Sequence, residues 1–64
     1  MNRTLLRTRE VAELTGIAEG TLRWWRYTSQ GPKSFTLGRR VVYDAEDVRR
    51  WIDEQYAAST TTTA

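Results

Sequence analysis

The chain contains no cysteine. That excludes a disulfide framework and a thiolate metal site. It contains no histidine either, which removes the usual general base, the commonest zinc ligand and the switch that titrates near neutral pH. No apolar run approaches the length needed to cross a bilayer. Met1-Asn2-Arg3-Thr4 leads into only two leucines before Arg7, so no secretory signal is expected there. With 64 residues there is room for one small domain with a thin core. Such a core leaves no space for a catalytic pocket of ordinary volume. The expectation is a cytoplasmic module that binds a partner: not an enzyme, with no cofactor, no metal and no membrane contact.

What the chain does have is positive charge in one place. The formal net charge is only +2, and the pI is about 9.5. Between Gly20 and Tyr43, however, there are five basic residues (Arg23, Arg26, Lys33, Arg39, Arg40) and no acid. From Asp44 onward there are five acids and two arginines. A molecule polarised in this way suits a polyanionic partner on its basic side. A solvated surface with uneven charge is the plainer alternative.

The pattern of residues predicts a short extended start at Leu5-Leu6, then three helices and a hairpin. Thr8 reads as an N-cap and Glu10 suits the first turn of a helix. Val11, Ala12 and Leu14 supply its apolar stripe, and Gly16 stops it, which gives a helix over 9–15. A second helix is predicted over 19–29. Leu22 and Trp25 share one side with Ala18 and Ser29, while Gly20, Arg23, Trp24 and Tyr27 take the other. Gln30-Gly31-Pro32 ends it. Two helices joined by a short glycine-containing turn form a helix-turn-helix.

Ser34-Phe35-Thr36-Leu37 and Val41-Val42-Tyr43 read as the strands of a hairpin. A three-residue loop, 38–40, would pair Leu37 with Val41 and Phe35 with Tyr43, and all four would share one face. Arg39 and Arg40 would then both sit at the tip. Asp44 is the expected N-cap of a third helix, with Glu46 and Asp47 in its first turn and Val48, Trp51, Ile52 and Gln55 along its inner stripe. Capping explains those acids without a metal. Arg49 and Arg50 are expected to pair locally with Glu46, Asp53 or Glu54. Residues 1–56 form the domain in this reading, and 57–64 a disordered tail.

Helix-turn-helix, hairpin, helix is a winged-helix order, a small α+β fold. The run Thr15-Gly16-Ile17-Ala18-Glu19-Gly20-Thr21-Leu22-Arg23-Trp24-Trp25 resembles the turn and recognition helix of the MerR-type winged helix. The run Gly31-Pro32-Lys33-Ser34-Phe35-Thr36-Leu37-Gly38-Arg39-Arg40-Val41-Val42-Tyr43, followed by Asp47-Val48 and Trp51, is similar to the small excisionase family. Together they span about Leu6 to Gln55. There is no room for the long dimerisation helix of full MerR regulators, which favours the excisionase branch. Two departures stand out. Ala18 replaces a serine cap, and Thr36 stands where relatives often have lysine, which removes one phosphate contact from the wing.

The resemblance implies that the exposed face of the second helix enters the major groove, which is about 12 Å wide. Arg23 is the base reader, because arginine can be bidentate to guanine. Gly20 lets the backbone approach. Glu19 and Thr21 suit a base or, for Thr21, a phosphate, and Glu19 also suits a helix start. Arg26 and Lys33 suit phosphates. Trp24, with Tyr27 beside it, packs on the sugar-phosphate backbone or lids the core rim; Trp25 and Trp51 belong to the core. Arg39 and Arg40 form a wing for the minor groove, with Thr36 on the same hairpin, or else are ordinary turn residues.

The function implied is that of an excisionase: a sequence-specific architectural protein on double-stranded DNA that bends attachment-site DNA and steers a tyrosine integrase toward excision. A lone module reads too few base pairs for a genomic address. Copies on tandem sites, meeting head-to-tail through a basic flank and the acidic third helix, are therefore expected. A small prophage-type transcriptional regulator of the same fold and a protein-interaction module that never touches DNA remain as alternatives.

Overall fold

The computed structural model describes residues 3–61. The elements run β1 (Leu5–Arg7), α1 (Thr8–Thr15), α2 (Glu19–Tyr27), β2 (Phe35–Leu37), β3 (Arg40–Asp44) and α3 (Ala45–Thr61). The strands form one antiparallel sheet in the order β1-β3-β2. This is a small α+β arrangement with a helix-turn-helix and a hairpin wing, as expected. The extended start at Leu5-Leu6 is the first strand of that sheet, with Leu6 opposite Tyr43.

The centre is Val11 from α1, Leu22 from α2, Tyr43 from β3 and Val48 from α3, all fully buried. Leu6, Ala12, Ile17, Trp25 and Val41 pack around them. Each of the three helices thus contributes one fully buried side chain. Trp25 and Trp51 meet at 5.7 Å between ring centroids and join α2 to α3 at the rim. The stripes expected from periodicity are wider than those the fold buries: Leu14, Ile52 and Gln55 are exposed. A domain this small has too few layers to cover a whole helical face.

The helix ends are set by local hydrogen bonds. Thr8 is the first residue of α1 and not its cap. Arg7 takes the cap position, and its backbone N–H donates to Glu10 Oε1 at 2.7 Å. At the other end Gly16 is left-handed and its N–H donates to Ala12 O at 2.8 Å. Helix α2 begins after Ala18, which supplies no side-chain cap bond. It ends at Tyr27, two residues short of the expected Ser29. There the Thr28 hydroxyl donates to Trp24 O and Trp25 O, and Ser29 turns left-handed at φ 59°. Ala18 and Ser29 are both exposed and take no part in the inner stripe.

The hairpin register differs from the expected one. The loop has two residues, Gly38 and Arg39, and Leu37 pairs with Arg40, Thr36 with Val41 and Phe35 with Val42. Gly38 has φ 67°, as the first position of a II′-type loop requires. The expected register assumed that apolar residues of both strands share an inner face. Strand β2 has no inner face, because all three of its residues are exposed. Strand β3 is instead buried on both sides. Tyr43 faces the helices; Val42, next to it, is also buried but lies on the opposite face beside its partners Arg7 and Phe35. Arg39 is therefore at the tip, while Arg40 is the first residue of β3.

Asp44 caps α3 as expected: its Oδ1 accepts the Glu46 N–H at 2.8 Å. Its other oxygen is 3.2 Å from Arg3 Nε. Arg50 pairs with Asp47 at 3.0 Å, a local pair of the expected kind with a different acid. Residues 57–61 of the expected tail lie in α3. Helix α3 continues through Thr61, since Ala57 and Ala58 are strong helix formers and no glycine or proline breaks it. Residues 62–64 of that tail lie outside the described residues.

Candidate nucleic-acid interface

The second helix of a helix-turn-helix is the one that reads DNA. In α2 the inner side is taken by Leu22 and, at the rim, Trp25. Glu19, Gly20, Thr21, Arg23, Trp24 and Tyr27 are all exposed. So six of the seven expected α2 residues lie at the surface. The seventh, Arg26, does not: it is half-buried, and its Nη1 donates to Thr8 Oγ1 at 3.1 Å and to Tyr43 Oη at 3.2 Å. These bonds tie α2 to α1 and β3. Arg26 is first of all an internal strut, and only its remaining N–H groups are available to a phosphate.

Arg23 is not free either. Its Nη1 lies 3.7 Å from Glu19 Oε1, one turn back on the same exposed face. An exposed pair of this kind is worth about 0.3–0.5 kcal/mol, so a better acceptor displaces it readily. The pair neutralises the face locally and fixes where the guanidinium waits. Beyond it, the Trp24 and Tyr27 rings stack at 6.4 Å with 30° between their planes. The i, i+3 spacing of these two aromatics was a visible signal for this contact. The Glu19–Arg23 pair was equally visible at i, i+4.

Gly20 sits in the first turn of α2, and a Cβ there would meet nothing within 4 Å. No packing reason requires glycine. Gly20→Ala is expected to stabilise the domain by about 0.5 kcal/mol through helix propensity. Its DNA affinity should nevertheless fall, if the α2 backbone lies against the duplex there. Thermal unfolding and anisotropy titration check the two halves. A higher Tm with unchanged affinity would remove Gly20 from the interface.

Lys33, Thr36, Arg39 and Arg40 are all exposed. None of the three cations engages an ion pair among the described residues. The two-residue loop separates these side chains more than expected. Thr36 pairs with Val41 and Arg40 with Leu37, so Thr36 and Arg40 point to opposite faces of the wing. Lys33 shares one cleft with Arg26, Ser29 and Gln30 behind α2. It also borders a second groove whose walls include Asp47 and Glu54 of α3. The fold thus brings Lys33 and Arg26 together and keeps Arg39 and Arg40 on the hairpin.

Among the described residues there is no cluster of metal-ligating side chains. No helix among those residues is long and apolar enough to cross a membrane. What the fold offers is a short helix with a solvent-facing side and a wing whose arginines engage no ion pair among the described residues. No curated protein and no solved structure matches the chain. Residues 5–56, however, match the family described as a helix-turn-helix domain, which covers both helices, the wing and most of α3. The chain therefore belongs to that helix-turn-helix family, which includes excisionase-like DNA-binding proteins.

Proposed function

We propose that this chain is an architectural DNA-binding protein of the excisionase kind. It binds attachment-site DNA, occupies tandem sites cooperatively, bends the duplex and directs a tyrosine integrase toward excision. One observation carries the reading: a helix-turn-helix domain presents the open face Gly20, Arg23, Trp24 and Tyr27 on α2 and adds exposed Arg39 and Arg40 on the wing. The α2 face supplies base contacts, and the wing supplies charge to the phosphates and the minor groove.

Cooperativity follows from charge. Helix α3 carries Glu46, Asp47, Asp53 and Glu54, whereas the segment from Gly20 to Tyr43 carries only positive charge. One copy's basic flank therefore complements the acidic helix of the next. A head-to-tail contact of that type uses two different patches and propagates along tandem sites. Each wing adds to the bend.

The test is footprinting on the DNA flanking the gene, followed by gel-shift titration on duplexes with a single site and with several adjacent sites. Cooperative filling of the multi-site duplex by a protein that is monomeric in free solution is expected. Independent filling of adjacent sites, or a tight two-fold dimer without DNA, would refute the filament. Footprints confined to a promoter, with no effect on excision, would refute the excisionase role.

A further inference from the structure

The exposed face of α2 carries an aromatic stripe beside its polar residues Glu19, Thr21 and Arg23. Gly20, Trp24 and Tyr27 fall at i, i+4 and i+7 and form one stripe. Trp24 is 60% exposed and Tyr27 87% exposed. Their stacked rings form a continuous plate. Packing of the core does not require them, since the rim contact between α2 and α3 is made by Trp25 and Trp51. Neither side chain makes a hydrogen bond among the described residues. On the same exposed face Arg23 and Glu19 hold each other at 3.7 Å.

We propose that this plate reads thymine C5-methyl groups in the major groove, and so makes Trp24, with Tyr27 as its buttress, a specificity-determining residue. The inference rests on the DNA-binding reading above. In the major groove every base edge presents hydrogen-bond donors or acceptors, and thymine alone adds an apolar group. An indole face laid over polar edges would strip them of water and give nothing back. Over a methyl it removes apolar surface on both sides from water. Position along the helix agrees. At about 1.5 Å per residue, Trp24 lies roughly 7 Å along α2, within a groove about 12 Å wide. Tyr27, the last residue of the helix, sits one turn further on and stiffens the indole by stacking. Arg23, on the same face, supplies the guanine contact. The pattern implied is a guanine next to one or more thymines.

The test uses the full chain and a duplex selected from random sequence by binding. Each thymine of that duplex is replaced in turn by deoxyuridine, which removes the methyl and leaves the hydrogen-bonding edge intact. Affinity should fall about four-fold for each contacted methyl, from the burial of one methyl-sized group. Uracil elsewhere in the duplex should cost nothing. Trp24→Ala should abolish the uracil penalty, while Trp24→Phe, which keeps an aromatic ring, should retain part of it. Circular dichroism verifies that both exposed-site variants are folded. If every uracil duplex binds as the parent does while binding remains salt-dependent, the plate packs on the sugar-phosphate backbone and this proposal is overturned; the DNA-binding reading then stands. If no duplex binds even at low salt, both are overturned.

Discussion

Raising the salt from about 50 to about 200 mM is expected to weaken duplex binding roughly forty-fold, from counterion release at three phosphates. The three are assigned to Lys33, Arg39 and Arg40, which are exposed and engaged by no acid among the described residues. Arg26 is not counted, because Thr8 and Tyr43 hold it inside the domain. Arg23 is counted as a base reader. At about −0.9 per phosphate, the slope of log K against log salt should lie near −2.7. Arg39→Ala combined with Arg40→Ala should bring it to about −0.9 and weaken all sequences alike. Arg23→Ala should instead cost about 1–3 kcal/mol on the preferred duplex and relax preference at one base pair. Anisotropy titrations at several salt concentrations separate these outcomes. A slope near zero for the unaltered protein would sink the DNA reading. A wing variant that changes sequence preference, beside an Arg23 variant that does not, would reverse the assignment of helix and wing.

The largest expected effect on stability belongs to a residue outside both the α2 face and the wing. Gly31→Ala is expected to cost about 2–4 kcal/mol, combining a left-handed backbone with an overpacked rim. Gly31 has φ 75°, and a Cβ built on it would lie 2.5 Å from Trp25 Cε3. Retreat of the Trp25 ring is opposed by Trp51 of α3, whose ring centroid lies 5.7 Å away. The Gln30 N–H also donates to Trp25 O at 2.7 Å, which holds the turn against the end of α2. A domain of this length has only about 3–10 kcal/mol of stability in all, so the loss would unfold a measurable fraction. Urea denaturation measures it. The contrast with Gly20→Ala is the sharper test, because the same substitution in an open position should raise stability. Equal midpoints for the two variants would contradict the packing described for Gly31.

Several features were legible in the sequence because they depend only on near neighbours along the chain. Gly16 as a helix stop, Asp44 as the cap of α3, and the outward side of α2 follow from backbone geometry and helical spacing. The motif order placed the helix-turn-helix and the wing correctly for the same reason. The surface of α2 was open to direct reading, since a helix that buries Leu22 must expose the residues half a turn away.

Tertiary structure decided what depends on a partner far along the chain. Arg26 looks like any other cation of a basic segment, and only the folded chain brings Thr8 and Tyr43 to it, 18 and 17 residues away. Thr8 looks like a cap but serves as that arginine's acceptor, while Glu10 reaches back to Arg7 instead. The hairpin register turned on which faces of the sheet are covered. Alternation along two short strands suggested one inner face, but pairing with β1 makes β3 central and leaves β2 an exposed edge. That is why Leu37 faces solvent beside Arg40 and why, of the two arginines, Arg39 alone lies in the loop. Periodicity, then, determined which side of each helix could be buried. How much of that side was buried depended on how few layers a 64-residue chain can stack against it.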